Sequence, residues 1–254
     1  MSSLSYQVET WGTVILIELS STKVNTEKLE AAAKEAEKFL FLVDELFSTY
    51  RSDSQISKLR EGTLDIADAQ PLVKEVWDQC LYARELTGGA FDPWKVEGGF
   101  DPSGYVKGWA ADKCGEIFNK YEIENSLVNA AGDISVRGGL LTDGVVGPWP
   151  LQIRNPEKFD EIVKDVPLHD GAIATSGVGE KGSHIRDPFT GLIAIGALSA
   201  TVFGPDGGLA EALATALVVA GKDGASWFNQ PELADYSAFV IDRHSDTSWS
   251  ISNQ

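Results

Sequence analysis

Glu211 and Thr215 carry oxygen atoms into an otherwise apolar run, GLAEALATALVVAG, from Gly208 to Gly221. A separation of four places both on one face of a helix. Each has a structural role open to it. A carboxylate in a first turn complements the helix dipole, and a threonine hydroxyl bonds the carbonyl one turn back. Beside a loop rich in backbone oxygens, the same pair fits a hard, oxygen-seeking cation such as Mg²⁺. The sequence offers such a loop in GGAFDPWKVEGGFDPSGYVKG, with six glycines between Gly88 and Gly108. Glycine lets the backbone approach a ligand closely, and Asp-Pro enforces an extended or turn geometry. Its bland reading is a hairpin whose aspartates bond their own backbone. The run Asp101 to Gly108 leads directly into a helix, so that amides at the helix start and Lys107 in its first turn form a natural anion site.

Histidines are scarce. His169 and His244 lie in polar, turn-like stretches and are expected at the surface. His184 lies in a passage of hydroxyls and turn formers, Ala174 to Gly177 and then Ser183 to Gly191. Residue types alone leave it open between a hydrogen-bonded loop histidine and a catalytic base. Gly177-Val-Gly179-Glu-Lys-Gly182 matches a dinucleotide fingerprint by accident, because Pro188 follows too closely for the required helix.

The elements that must position these groups are legible from period and punctuation. A strand is expected in the segment Gln7–Leu19, which ends in VILIEL, and a helix capped by Thr26 through Leu46. The polar loop Ser48–Ser54 follows, then a short amphipathic turn to Leu59. Pro71 opens a second helix, with Leu72, Val76, Cys80 and Ala83 on one face. A third spans about Val106–Phe118. Strands are expected at Ser126–Asn129, Ile134–Arg137, Leu151–Ile153, Ala172–Thr175, Ile193–Phe203 and Ser237–Ile241. The Ala-rich helix is apolar on nearly every side and is expected to be buried. Without a strict βαβ rhythm or a dividing linker, the class is α+β in a single domain, 1–254.

Composition narrows the partners. The 254 residues carry 21 Lys and Arg against 38 Asp and Glu, a formal net charge of −17. Such a surface repels phosphate backbones and anionic lipid, which argues against nucleic-acid or membrane-surface binding, yet a small anion remains possible where a metal or local lysines neutralise it. Cys80 and Cys114 are expected as buried free thiols. No membrane span, export signal or lipobox cysteine is apparent, so a cytoplasmic protein is the expectation.

Taken together, the motifs resemble the ApbE family, the FAD:protein FMN transferases. The matching segments are Trp11–Thr13, Phe47–Ser54, Thr87–Pro93, Asp101–Gly108, Val128–Ile134, Ala174–Gly177, His184–Gly191, Ser199–Val202 and the helix Ala210–Thr215. The resemblance implies mixed sheets and packed helices around a central FAD cleft. It implies transfer of FMN from FAD, through a phosphoester bond, to a Thr or Ser of an acceptor protein, with release of AMP and dependence on Mg²⁺ or Mn²⁺. Family metal ligands map onto the Gly104 carbonyl and the side chains of Glu211 and Thr215. FAD contacts map onto Trp11, Tyr50, Ala90, Phe91, Asp92, Asp101, Lys107 and Ile185. The catalytic histidine falls on His184, with Lys107 stabilising charge on the pyrophosphate. Glu211 stands where the family more usually has Asp, Trp11 where it has Met, and Pro102-Ser103 where it has Leu-Gly. Two other functions draw on the same residues: an FAD pyrophosphatase, with water as acceptor, and a flavin-binding protein without catalysis.

Overall fold

The computed structural model describes residues 1–158, 160–177, 185–243 and 247–252. The chain opens with a hairpin, β1 (Ser2–Thr10) and β2 (Thr13–Ser21), in full antiparallel register. Its two-residue turn places Trp11 at φ 56° and Gly12 at φ 68°, the left-handed pair that matches strand twist. The sequence reading of one strand therefore becomes two, because Leu4, Tyr6 and Val8 alternate with polar residues at the period of a half-buried strand. Helix α1 (Thr26–Phe47) buries Leu29, Ala33, Ala36, Leu40 and Val43, as its spacing requires. Its cap is Asn25 rather than Thr26, since the Asn25 side chain accepts from the Lys28 amide. The short turn is α2 (Gln55–Arg60), capped by Ser54. Pro71 opens α3 (Pro71–Leu86), and α4 (Val106–Lys120) extends slightly beyond its expected end.

Six further strands follow as three pairs. β3 (Asn125–Ala130) and β4 (Asp133–Arg137) enter the main sheet. β5 (Leu140–Thr142) with β6 (Val145–Gly147), and β7 (Trp149–Arg154) with β8 (Ile162–Leu168), form separate two-stranded ribbons. The remaining elements are β9 (Gly171–Gly177), β10 (Ser199–Gly204), α5 (Gly207–Ala220), β11 (Ser237–Ile241) and β12 (Ser248–Ile251). The main sheet has eight strands in the order β1-β2-β3-β4-β9-β10-β11-β12, every pair antiparallel. The strand expected over Ile193–Phe203 pairs only from Ser199, apart from an isolated bridge between Ile193 and Arg186. Leu192, Ile193 and Ile195 are exposed instead, because β-branched residues form a strand only where a partner edge is available.

The sheet has two unlike faces. α1, α4 and α5 cover one, against Ile15, Ile17, Val128, Ala130, Ala200 and Val202. The β7–β8 ribbon covers part of the other through Trp149, Leu151, Ile153 and Val166 packed on Val136 and Ile173. On β4 the alternation of strands therefore sends Ile134 and Val136 to the ribbon and Asp133 and Ser135 to the helices. Helices α4 and α5 touch backbone to backbone at their first turns. A Cβ at Gly108 would lie 2.1 Å from the Gly207 carbonyl oxygen, so only glycine permits this crossing. Cys80 and Cys114 are free and buried, as expected. Among the described residues no helix is long and apolar enough to cross a membrane.

Candidate active site

The register of the main sheet brings several turns to one end. The β1–β2 turn, the β3–β4 turn, the end of β9 and the start of β10 share it, because Ile15 faces Ala130, Ala130 faces Asp133, and Gly177 faces Ser199. At this end the first turn of α4, the first residue of β4 and the second turn of α5 converge on one ammonium group. Lys107 Nζ lies 2.7 Å from Asp133 Oδ2, donates to the Ser103 carbonyl at 3.3 Å, and pairs with Glu211 Oε1. Three oxygens from three elements thus enclose it. Glu211 is only 2% exposed, and its second oxygen accepts the Gly108 amide at 3.0 Å. The carboxylate therefore complements the start of α4 rather than of its own helix. The sequence reading offered the opening amides of α4 to a ligand; the Gly108 amide is already bonded, to Glu211.

One turn further along α5, Thr215 Oγ1 lies 2.9 Å from Ser176 Oγ on β9. This cross-element contact takes the place of the intrahelical back-bond that a threonine in a helix can make. Gly104 completes this wall. A Cβ there would stand 3.5 Å from Thr215 Oγ1 and 3.2 Å from the Phe91 ring, so the absent side chain lets the 102–104 backbone lie against α5. Gly104, Glu211 and Thr215 are brought together with Lys107, and Phe91 joins them.

The Gly-rich loop is held by its own polar groups. Asp101 Oδ1 accepts the Ser103 amide at 3.0 Å, and Asp92 Oδ1 accepts the Trp94 amide at 3.1 Å. Both Asp-Pro steps are thus turns of the kind the bland reading describes, built into a single-turn helix at Pro102–Gly104 rather than a hairpin. Asp92 is also paired with Arg84 at 2.8 Å, and Thr87 Oγ1 accepts the Phe91 amide, which fixes Ala90 and Phe91 with their side chains buried. Trp11 lies at the sheet end described above, its indole N–H donated to the Leu40 carbonyl of α1. Tyr50 projects into solvent at 98% exposure, so none of the described residues covers its ring. Ile185 packs against the main core and accepts the Ala194 amide. His184 and His244 lie outside the described residues. His169 is exposed and bonds the Gly138 carbonyl.

Two residues were absent from the sequence reading of the site. Asp133 belongs to the quoted Val128–Ile134 segment, but its place beside Lys107 depends on strand alternation and on a partner far away in sequence. Asp112, on α4 behind the cage, accepts Ser135 Oγ at 2.6 Å and the Gly207 amide at 2.6 Å. It ties together the three elements that carry Lys107, Asp133 and Glu211. Burial first, and Asp206 second, push its carboxyl up to about 6, against the opposing pull of Ser135, Gly207 and Arg137. An unfolded aspartate titrates near about 4. The folded state therefore holds this proton more tightly between those values, and stability falls as pH rises through about 4 to 6. Asp112→Asn cannot titrate. Its stability relative to wild type, measured by urea unfolding, is expected to improve from pH 4 to pH 6.5; parallel profiles would remove Asp112 as the cause.

The donor chemistry suits a hard cation. Among the described residues no three His, Cys, Asp or Glu side chains converge as a ready metal cluster. What converges is two carboxylates and a carbonyl oxygen around the positive charge of Lys107, with the Thr215 hydroxyl one turn further along α5. Oxygen donors of this kind suit Mg²⁺, Mn²⁺ or Ca²⁺ rather than softer metals.

The chain is similar to known proteins along most of its length. The profile of the ApbE family matches residues 11–97 and 94–239. A curated relative from Vibrio cholerae serotype O1, named FAD:protein FMN transferase, is 28% identical over 74% of this chain and 73% of its own. A relative of the same name from Rhodobacter capsulatus is 30% identical over 68% of this chain and 31% of its own. Among solved structures, the flavin transferase ApbE from Vibrio cholerae superposes with a TM-score of 0.84 at 23% identity, over 99% of this chain and 98% of that one. The ApbE protein from Thermotoga maritima gives 0.80 at 23% identity, over 94% of each. These structures share the fold: a mixed architecture of helices and sheet. With the family profile spanning most of its length, the chain belongs to the ApbE family.

Proposed function

We propose that this chain is a transferase that moves FMN from FAD to a threonine or serine hydroxyl of an acceptor protein, with AMP as the leaving group. The observation that carries this reading is the caged ammonium of Lys107, a cation site of oxygen donors beside a glycine-lined loop, in a chain whose curated relatives are named FAD:protein FMN transferase. The hydroxyl oxygen bonds to the FMN-side phosphorus, and the bond from that phosphorus to the bridging oxygen breaks. AMP departs with the bridging oxygen.

The residues divide the work. Glu211, Thr215 and the Gly104 carbonyl would hold Mg²⁺ or Mn²⁺, which when bound supplies Lewis-acid stabilisation of the pyrophosphate charge. Lys107 meets the phosphate oxygens from the other side, where negative charge grows in the transition state. His184 accepts the proton of the attacking hydroxyl. Ala90, Phe91 and Ile185 offer apolar contact to the flavin or adenine, and Trp11 and Tyr50 offer aromatic area. Asp92 and Asp101 shape the loop through the turns they close. In a protein of net charge −17, binding of a dianionic pyrophosphate depends on this local neutralisation.

The test is release of AMP from FAD with Mg²⁺, with and without an acceptor protein bearing the modification site. AMP formed together with FMN-labelled acceptor is the expected result. Equal AMP release with water alone would make the chain a pyrophosphatase, and binding of FAD without AMP would make it a carrier.

A further inference from the structure

The cage around Lys107 has an occupant of its own, and this bears on how a metal would enter. The Lys107 ammonium is held by the Ser103 carbonyl, Asp133 Oδ2 and Glu211 Oε1. Those donors come from the 102–104 turn, β4 and α5. Of the three metal donors proposed above, Glu211 is thus already paired with a cation, and Gly104 is the next residue after Ser103. The carboxylate is buried and its other oxygen is bonded to the Gly108 amide. A divalent ion and the Lys107 ammonium therefore compete for the same Glu211 oxygen. Two positive groups on one buried oxygen repel, whereas a carboxylate stripped of every cation would bear the cost of desolvation.

We propose that Lys107 is an internal placeholder for the divalent cation, exchanged off Glu211 when the ion binds and kept within the site by Asp133. No covalent bond changes. Lysine remains protonated, gives up one ionic contact and keeps the other, and its freed N–H turns toward the phosphate oxygens. Asp133 is then a positioning residue, acting through Lys107. Metal loading and presentation of the lysine to the pyrophosphate become one event, and the empty site carries no unpaired buried carboxylate. The proposal rests on the metal assignment made for the proposed function.

The experiment measures Mn²⁺ binding to the full chain with no flavin, by electron paramagnetic resonance of free Mn²⁺, at pH 8. Lys107→Met removes the competitor and should bind Mn²⁺ about tenfold more tightly than wild type. Lys107→Gln, polar and of similar reach, provides the same reading if the methionine variant fails to fold. Lys113→Met, which removes an equal charge further along α4, should change Mn²⁺ affinity far less. In a Glu211→Gln background the gain from Lys107→Met should vanish. Asp133→Asn should raise the Kd for FAD in the presence of Mn²⁺ several-fold while sparing riboflavin, which lacks the pyrophosphate, and Asp133→Glu should restore part of the loss. If wild type binds Mn²⁺ and the Lys107 variants bind it no more tightly, exchange is overturned and the metal site stands. Should neither bind Mn²⁺, the metal assignment and the placeholder fall together, irrespective of any flavin transfer. Equal loss of FAD and riboflavin binding in Asp133→Asn would overturn the positioning role.

Discussion

Glu211→Gln is expected to fold as wild type and to lose metal activation of AMP release by about a hundredfold or more, since a bound metal ion contributes several kcal/mol to such a transition state. The fold should persist because the amide is nearly isosteric, its carbonyl can still accept the Gly108 amide, and Lys107 keeps Asp133 and the Ser103 carbonyl. What disappears is the buried negative charge. A neutral amide oxygen is a weaker donor to a hard dication, and it also lacks the second oxygen needed to serve both the amide and the ion. The measurement is the rate of AMP release against Mg²⁺ concentration, with the melting temperature as the check on folding. Unchanged Mg²⁺ activation would remove Glu211 from the metal site and leave it as the cap of α4.

His184→Ala is expected to bind FAD with wild-type affinity and to transfer FMN about a hundred to ten thousand times more slowly, the range that a general base contributes. A threonine or serine hydroxyl does not lose its proton unaided near neutral pH, and the cage holds a positive lysine, not a base. His169 is exposed and bonded to the Gly138 carbonyl next to the β7–β8 ribbon. Single-turnover transfer to the acceptor, with FAD binding measured in parallel, separates chemistry from affinity. Transfer near the wild-type rate would assign the proton to a carboxylate or to water.

The helices were legible because their signals are local. Pro71 at the start of α3, the stripe from Leu29 to Val43 in α1 and the unbroken apolar run of α5 each announce an element within a few turns. The first hairpin was not, because its turn places a bulky Trp11 at positive φ, a conformation that residue type does not advertise. The β8 strand also escaped notice: Ile162–Leu168 alternates weakly and contains Pro167, which demotes a strand read without its partner. Within the site, Glu211, Thr215 and Lys107 could be picked out by type, but their relation could not. Lys107 and Glu211 meet across 104 positions, and Asp133 joins them only because β4 alternates in the correct phase. By type alone Asp112 is one polar residue among several on α4; burial and the Gly207 amide give it a role.

The crossing of α4 and α5 at Gly108 and Gly207 has a consequence for how the site responds to its ligands. With main chain pressed on main chain and α5 buried along nearly its whole length, neither helix can slide without opening the core. The main-chain separation of Lys107 and Glu211 is therefore set by this backbone contact, and only the lysine side chain is left to change partner. This side of the site is a fixed jaw in its main chain, with Glu211 held by the Gly108 amide before any ligand arrives. Part of the reorganisation that water would have to undergo around a developing phosphate charge is thereby completed at the folding step, and what remains is the turn of one lysine side chain.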